Sequence, residues 1–213
     1  PLAVCHYVDT TGDTGVLAQQ IPYLEGRPLN PGEESVYDTP VISHLEETLW
    51  QHCVKAIERG LNFGQHGLPL MGAGDWNDGM NLVGIEGKGE SVWLGFFLYD
   101  ILQRFAALAE QRQDERVAAL CYSEALSLQR NLESYAWDGA WYLRGYFDDG
   151  TPLGTRASQA CWIDAIAQSW SILSGATDPV RSAQAMQSLD SYLVDNDAGL
   201  IKLLTPPFDG HGP

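Results

Sequence analysis

The chain has 213 residues with 45% hydrophobic and 10% aromatic content, enough apolar matter for a globular core and too much for a disordered chain. Twenty-eight Asp and Glu against twelve Lys and Arg leave a formal charge of −16. That balance excludes nucleic acid as a partner, because such affinity rests on cations that neutralise phosphates. Neutral ligands such as sugars suit it, and an anionic cosubstrate requires a locally positive pocket.

Residues 1–20 read as a short helix, LAVCHYVDTTG, a turn at Thr10-Thr11-Gly12-Asp13 and a further helical piece. Pro22 to Pro40, rich in Pro, Gly and acidic residues, is predicted to be an ordered surface loop. Ser43 with Glu46 is a capping-box signature, and the helix it opens carries Leu45, Leu49, Cys53, Ile57 and Leu61 at helical spacing. A glycine-rich, irregular segment follows from Gly67 to Gly95. From Ser91 to about Gln111 the pattern is again helical, and its first half, VWLGFFLYDIL, is apolar nearly all round and so belongs inside. Residues 114–135 form an amphipathic helix capped by Asp114, with Val117, Leu120, Cys121, Leu128 and Leu132 inward.

AWYLRGYFDDGTPLG reads as a hairpin turning at Asp148-Asp149-Gly150. Residues 160–174 are predicted to be another buried helix. Pro179 after Asp178 starts an outer helix that runs to about Val194. Asp197-Ala198-Gly199 then turns into the extended run GLIKLLTPPF. The alternation of all-round apolar and one-face amphipathic helices is what two concentric rings of helices produce. No short repeat is visible, and no continuous apolar run approaches the ~20 residues of a membrane span. The chain starts on Pro1 and stops at TPPFDGHGP, so it reads as an excerpt of something longer.

Cys5, Cys53, Cys121 and Cys161 are far apart and read as small core residues of a reducing, cytoplasmic compartment. No metal-ligand spacing joins them or His6, His44, His52, His66 and His211, so no metal is expected. His66 is the histidine beside the glycine-rich segment. Ser91 and Ser169 lack a nucleophile elbow. The chemistry concentrates in Asp75-Trp76-Asn77-Asp78, which offers two carboxylates and a flat indole within four residues. A carboxylic acid that protonates a leaving oxygen needs apolar burial or a neighbouring negative charge, and Trp76 with the second aspartate is placed to supply both. The same residues also make a good turn, since Asx side chains bond their own backbone. Gly87-Lys88-Gly89-Glu90 before a helix is a weak phosphate-site pattern, without the full P-loop motif, and Glu90 alone would complement the helix dipole.

In order along the chain, PLAVCHYVDTTGD, IPYLEGRPLNPGE, HGLPLMGAGDWNDGMNLVG, GKGESVWLG, YFDDGTPLG, IDAIAQSWSILSGA and LIKLLTPPFD closely resemble glycoside hydrolase family 94, the inverting disaccharide and oligosaccharide phosphorylases. Within it the likeness is nearest to the phosphorylase-like C-terminal region of cyclic β-1,2-glucan synthases and to β-1,2-oligoglucan phosphorylases. The resemblance implies an all-α fold. Residues 1–213 would be a fragment of one (α/α)6-barrel catalytic domain, a double ring of helices with a small β-hairpin insertion, truncated at both ends.

It also implies inverting phosphorolysis of β-glucosidic bonds in gluco-oligosaccharides to α-glucose 1-phosphate. Asp78 would be the general acid, Trp76, Asp75 and Asn77 the substrate-binding group, and Lys88, Gly89 and Glu90 an edge of the phosphate site. Inorganic phosphate is then a cosubstrate and no cofactor is implied. Two alternatives keep the likeness: a length-controlling domain of a cyclic glucan synthase, and a glucan-binding module without turnover. The resemblance implies no membrane contact by this segment and leaves open a membrane-bound parent chain, at the cytoplasmic face, or a homodimer. Residues 156–162, RASQACW, depart from the family's more acidic version, and the segment alone is expected to be poorly active and to expose inner-helix surface.

Overall fold

Helix α1, Leu2–Thr11, ends because Gly12 adopts φ +70, a left-handed cap open to glycine at no steric cost. In the computed structural model, which describes residues 1–30, 33 and 35–208, a single 3₁₀ piece follows at Thr14–Ala18, capped by Asp13. The chain divides into two compact units, Pro1–Gly60 and Leu61–Pro213.

In the first unit a β-ribbon takes over the first residues of the predicted loop, up to Glu25, and displaces the predicted capping box; the described residues between Gly26 and Pro40 lie in no helix or strand. Strand β1, Gln20–Glu25, pairs antiparallel with β2, Val41–Thr48, with Gln20 opposite Thr48 and Glu25 opposite Val41. Ser43 does not cap a helix: its hydroxyl donates to Glu25 at 2.5 Å across the ribbon. The helix starts later, as α2, Leu49–Gly60. Its capping box is Thr48 with Gln51: the Thr48 hydroxyl accepts from the Gln51 N–H at 3.2 Å, and the Gln51 carbonyl accepts from the Thr48 N–H at 2.9 Å. Trp50, Cys53, Val54 and Ile57 form its buried face, while Leu45 lies exposed on the ribbon.

In the second unit β3, Glu90–Ser91, leads directly into α3, Val92–Gln111, whose N-cap is Ser91. Helix α4, Glu115–Tyr135, is capped by Asp114 and packs along α3, burying Val117, Ala118, Cys121, Ala125, Leu128 and Leu132. Helix α3 is, contrary to the expectation from continuous apolar runs, long and apolar enough for a membrane span; more than half of its most apolar window is buried inside the unit, where it packs on α4. Strand β4, Gly145–Tyr146, lies between β3 and β5, Pro152–Leu153, so the predicted hairpin segment joins a three-stranded sheet. Gly145 is required there, because a Cβ would stand 2.3 Å from the Glu90 carbonyl oxygen.

The helix predicted over 160–174 is shorter and less buried. Ile163–Asp164 instead forms strand β6, paired with β9, Leu204–Thr205, and α5 covers only Ala165–Leu173. Its inward positions include polar Gln168 and Ser171, whereas Ile172 and Leu173 are 50% and 65% exposed. Gln168 is satisfied inside by acting as a strand partner: its carbonyl accepts from the Tyr142 N–H and its amide donates to the Tyr142 carbonyl, both at 2.8 Å. Helix α6, Pro179–Leu193, begins with proline after the Asp178 cap, and β7, Val194–Asp195, turns back on β8, Leu200–Ile201. Six α-helices dominate the described residues, with the ribbon in the first unit and, in the second, one three-stranded sheet and two pairs of two-residue strands. All four cysteines are buried thiols outside any disulfide. His211 lies outside the described residues.

Candidate active site

The segment predicted to carry the chemistry is anchored from below by apolar side chains at both of its ends. Met71 and Met80 enter a buried cluster with Val83, Leu153 and Cys161, against which Phe147, Leu204 and Phe208 pack. Between those anchors Gly74 takes φ +114, and a Cβ there would lie 2.9 Å from the Asn77 carbonyl oxygen, so only glycine closes this turn. Asp78–Met80 is a short 3₁₀ turn capped by Asn77, whose side-chain oxygen accepts from the Gly79 N–H at 3.0 Å.

Asp75 and Asp78, three residues apart, occupy opposite environments. The Asp75 side chain is fully buried and receives both arms of the Arg144 guanidinium, at 2.6 and 2.7 Å. The Ser91 hydroxyl donates to it at 2.6 Å and the Asn77 N–H at 3.3 Å. Burial opposes ionisation of Asp75, but the Arg144 hydrogen bonds and charge, with those of Ser91 and Asn77, outweigh it and hold the carboxyl below its usual range. Asp78, by contrast, is exposed, as is Trp76 at 44%.

Arg144 is the functional-looking residue that the sequence pattern did not single out. Its side chain is wholly buried, and on its other edge Nε stands 3.4 Å from the Asp164 carboxylate. Neither Arg144 Nε nor Asp164 Oδ2 makes a hydrogen bond. Burial pushes the Asp164 carboxyl up, against the pull of Arg144 and of the α5 backbone N–H groups. An arginine inside the aromatic run WYLRGYF was the available signal, since a fully buried guanidinium needs a carboxylate partner.

The segment Gly87 to Glu90 is occupied from within. The Asp148 carboxylate, at the tip of the β4–β5 turn, accepts from the backbone N–H groups of Glu86, Lys88 and Gly89, each at 2.8 Å. The backbone does form an anion-binding concavity here, and the anion in it is Asp148. Lys88 Nζ is exposed and sits 3.3 Å from Glu86. The buried Glu90 carboxylate accepts from the N–H groups of His66 and Leu68, both at 3.0 Å, and contacts His66 Nδ1 at 2.5 Å. It holds the 66–68 loop and does not face the start of α3. His66 stacks on Tyr146 at 3.9 Å. In the departing segment 156–162, the Arg156 guanidinium lies over the Trp141 and Tyr192 rings at 5.2 and 5.5 Å. No cluster of metal-ligating side chains occurs among the described residues.

The profile of the glycosyl hydrolase 94 superfamily catalytic domain matches residues 5–212. The chain belongs to that family. It is 41% identical over 208 residues to the cyclic β-(1,2)-glucan synthase NdvB of Rhizobium meliloti (strain 1021), covering 97% of this chain and 7% of that protein. It is 34% identical over 204 residues to solabiose phosphorylase of Paenibacillus borealis, covering 95% of this chain and 24% of that enzyme. It is also 30% identical over 193 residues to N,N'-diacetylchitobiose phosphorylase of Vibrio furnissii, covering 89% and 21%. This family 94 chain thus spans a quarter or less of the length of these relatives.

Proposed function

We propose that this chain carries the proton donor of an inverting phosphorylase that acts on β-glucosidic bonds in gluco-oligosaccharides. The observation behind the reading is the split between the paired aspartates: Asp75 is consumed by Arg144, while Asp78 stands exposed beside the half-exposed indole of Trp76. Only one of the two is free to meet a substrate. Trp76 would stack on the apolar face of a pyranose, and the bound sugar would give Asp78 the water-poor surroundings that proton donation needs.

A phosphate oxygen then attacks the anomeric carbon from the opposite face. The glycosidic C–O bond breaks with its electron pair on the leaving oxygen, and that oxygen takes the proton of Asp78. The products are α-glucose 1-phosphate and a shortened glucan. This is the inverting arrangement with phosphate in place of the activated water, so no second carboxylate base is required. Lys88, with its exposed ammonium group, is the remaining contributor at the predicted phosphate edge. The reading needs no cofactor.

The same reading takes residues 1–213 as part of one (α/α)6 barrel with the β4–β5 hairpin as an insertion, working in the cytoplasm. The exposed Ile172 and Leu173 on α5 support it, as side chains suited to a neighbouring helix. The likeness to a cyclic β-(1,2)-glucan synthase favours the β-1,2 linkage and a role as a glucan-handling domain of a larger synthase.

The test is to incubate the natural full-length protein with β-1,2-gluco-oligosaccharides, with and without phosphate, and assay glucose 1-phosphate. Phosphate-dependent formation is expected. Release of glucose without phosphate would instead indicate a hydrolase, and silence in both arms a binding module.

A further inference from the structure

The relation of Arg144 to Asp78 extends the phosphorolysis reading and rests on it. Arg144 enters the site from the position just before β4, whose pairing with β3 sets Ser91 opposite Gly145, the neighbour of Arg144. Its fork and the Ser91 hydroxyl close on Asp75 from two sides. Asp75 in turn holds the Asn77 N–H, and Asn77 caps the 3₁₀ turn whose first residue is Asp78. Two hydrogen-bonded links therefore separate the guanidinium from the backbone of the proton donor. Each link is oriented by a rigid element: the β-sheet, the start of α3, or the turn itself.

The second edge of Arg144 shows that this geometry is set for the loop. Nε faces Asp164 at 3.4 Å without a hydrogen bond, and Asp164 Oδ2 is likewise unpaired. Both orphaned atoms are buried, and that cost is tolerated beside the fully satisfied bidentate contact to Asp75. A pair evolved for stability alone is often matched or bettered by packed apolar side chains. A pair that fixes a direction is not, because only the planar fork locks a carboxylate in both position and orientation.

We propose that Arg144 is a positioning residue: through Asp75 it sets where the Asp78 carboxyl stands relative to the leaving oxygen of the glucan. It touches neither substrate nor the reacting atoms. Lysine at 144 keeps the charge and loses the fork, so the loop would stay neutralised but lose its register. A displacement on the order of 1 Å costs about 100-fold when a reacting group must be aligned.

The experiment uses two substrates of the full-length protein, each with phosphate: a β-1,2-gluco-oligosaccharide, and 2,4-dinitrophenyl β-glucoside, whose leaving group departs without protonation. Glucose 1-phosphate is measured for the wild type, Asp78→Asn and Arg144→Lys. Both variants are expected to lose kcat on the oligosaccharide, Arg144→Lys by about 100-fold, and to keep most of their activity on the aryl glucoside. If Arg144→Lys does not fold, Ser91→Ala leaves the fork in place and removes one hydrogen bond to Asp75 together with the α3 cap. It should show the same selective loss on a smaller scale, since loss of the cap alone does not discriminate between the two substrates. An equal loss on both substrates by a folded variant, while Asp78→Asn remains selective, overturns the positioning role and leaves the phosphorolysis reading standing. No glucose 1-phosphate from the wild type on either substrate overturns that reading and this inference together.

Discussion

The base and the tip of the 71–80 loop are built on opposite principles, although three residues separate their key carboxylates. At the base, Asp75 is buried, ionised and hydrogen-bonded to a guanidinium, a hydroxyl and a backbone N–H. At the tip, Asp78 and Trp76 face solvent. A group that must donate a proton to a visiting substrate has to be left unsatisfied, and it holds a useful position only if something nearby is fully satisfied. On the proposed function, the difference teaches that the saturated member of this pair would be the support and the open one the reagent.

That contrast can be broken most forcefully at Arg144. Arg144→Met strands the Asp75 charge in the interior and is expected to lower unfolding free energy by about 3–5 kcal/mol in denaturant titrations. Asp78→Asn should leave the same curve essentially where it was while phosphorolysis falls by about 10²–10⁴-fold. If Asp78→Asn destabilised the protein as much as the Arg144 variant, base and tip would not be distinct. A smaller loss is expected at Glu90, whose carboxylate gathers the His66 and Leu68 N–H groups. Glu90→Gln keeps one acceptor and removes the charge, at about 1.5–3 kcal/mol.

Acid sharpens the contrast further. The depressed Asp75 carboxyl contributes stability that is full above the ordinary carboxylate pKa, and that contribution is lost as pH falls through its lower folded-state value. Asp75→Asn should therefore flatten the acid limb of the stability curve. The mildest test is chemical. Cys161 lies beneath the loop, its thiol pushed up to about 12 by burial and by the Asp164 charge. It is expected to resist iodoacetamide in the native protein and to react on unfolding, as followed by mass spectrometry.

Much of the helical framework was legible in the sequence because its signals are local. The Asp114 and Asp178 caps, Pro179 at the first turn and the Ser91 start of α3 each lie within a few residues of what they organise. The misplacements share one cause, which is pairing at a distance. The Ser43 and Glu46 signal was overruled by a ribbon with residues 20–25, and the start of the 160–174 helix by a ladder with residues 204–205. The site behaves in the same way. The motif at 75–78 is visible as a motif, but the different surroundings of its two aspartates depend on Arg144, 69 positions away from Asp75. The residue types of the loop do not by themselves distinguish the two aspartates; the family resemblance pointed to Asp78, and the partners that set the two apart lie outside the loop.

The Asp148 turn has a consequence for how this protein meets anions. A carboxylate tethered to the same chain competes for the 86–89 concavity at an effective concentration on the order of millimolar or higher, and it needs no diffusion to return. The concavity serves as a latch between the β4–β5 turn and the segment leading to Glu90, so any motion of that turn would be felt at once by the strand that carries Ser91.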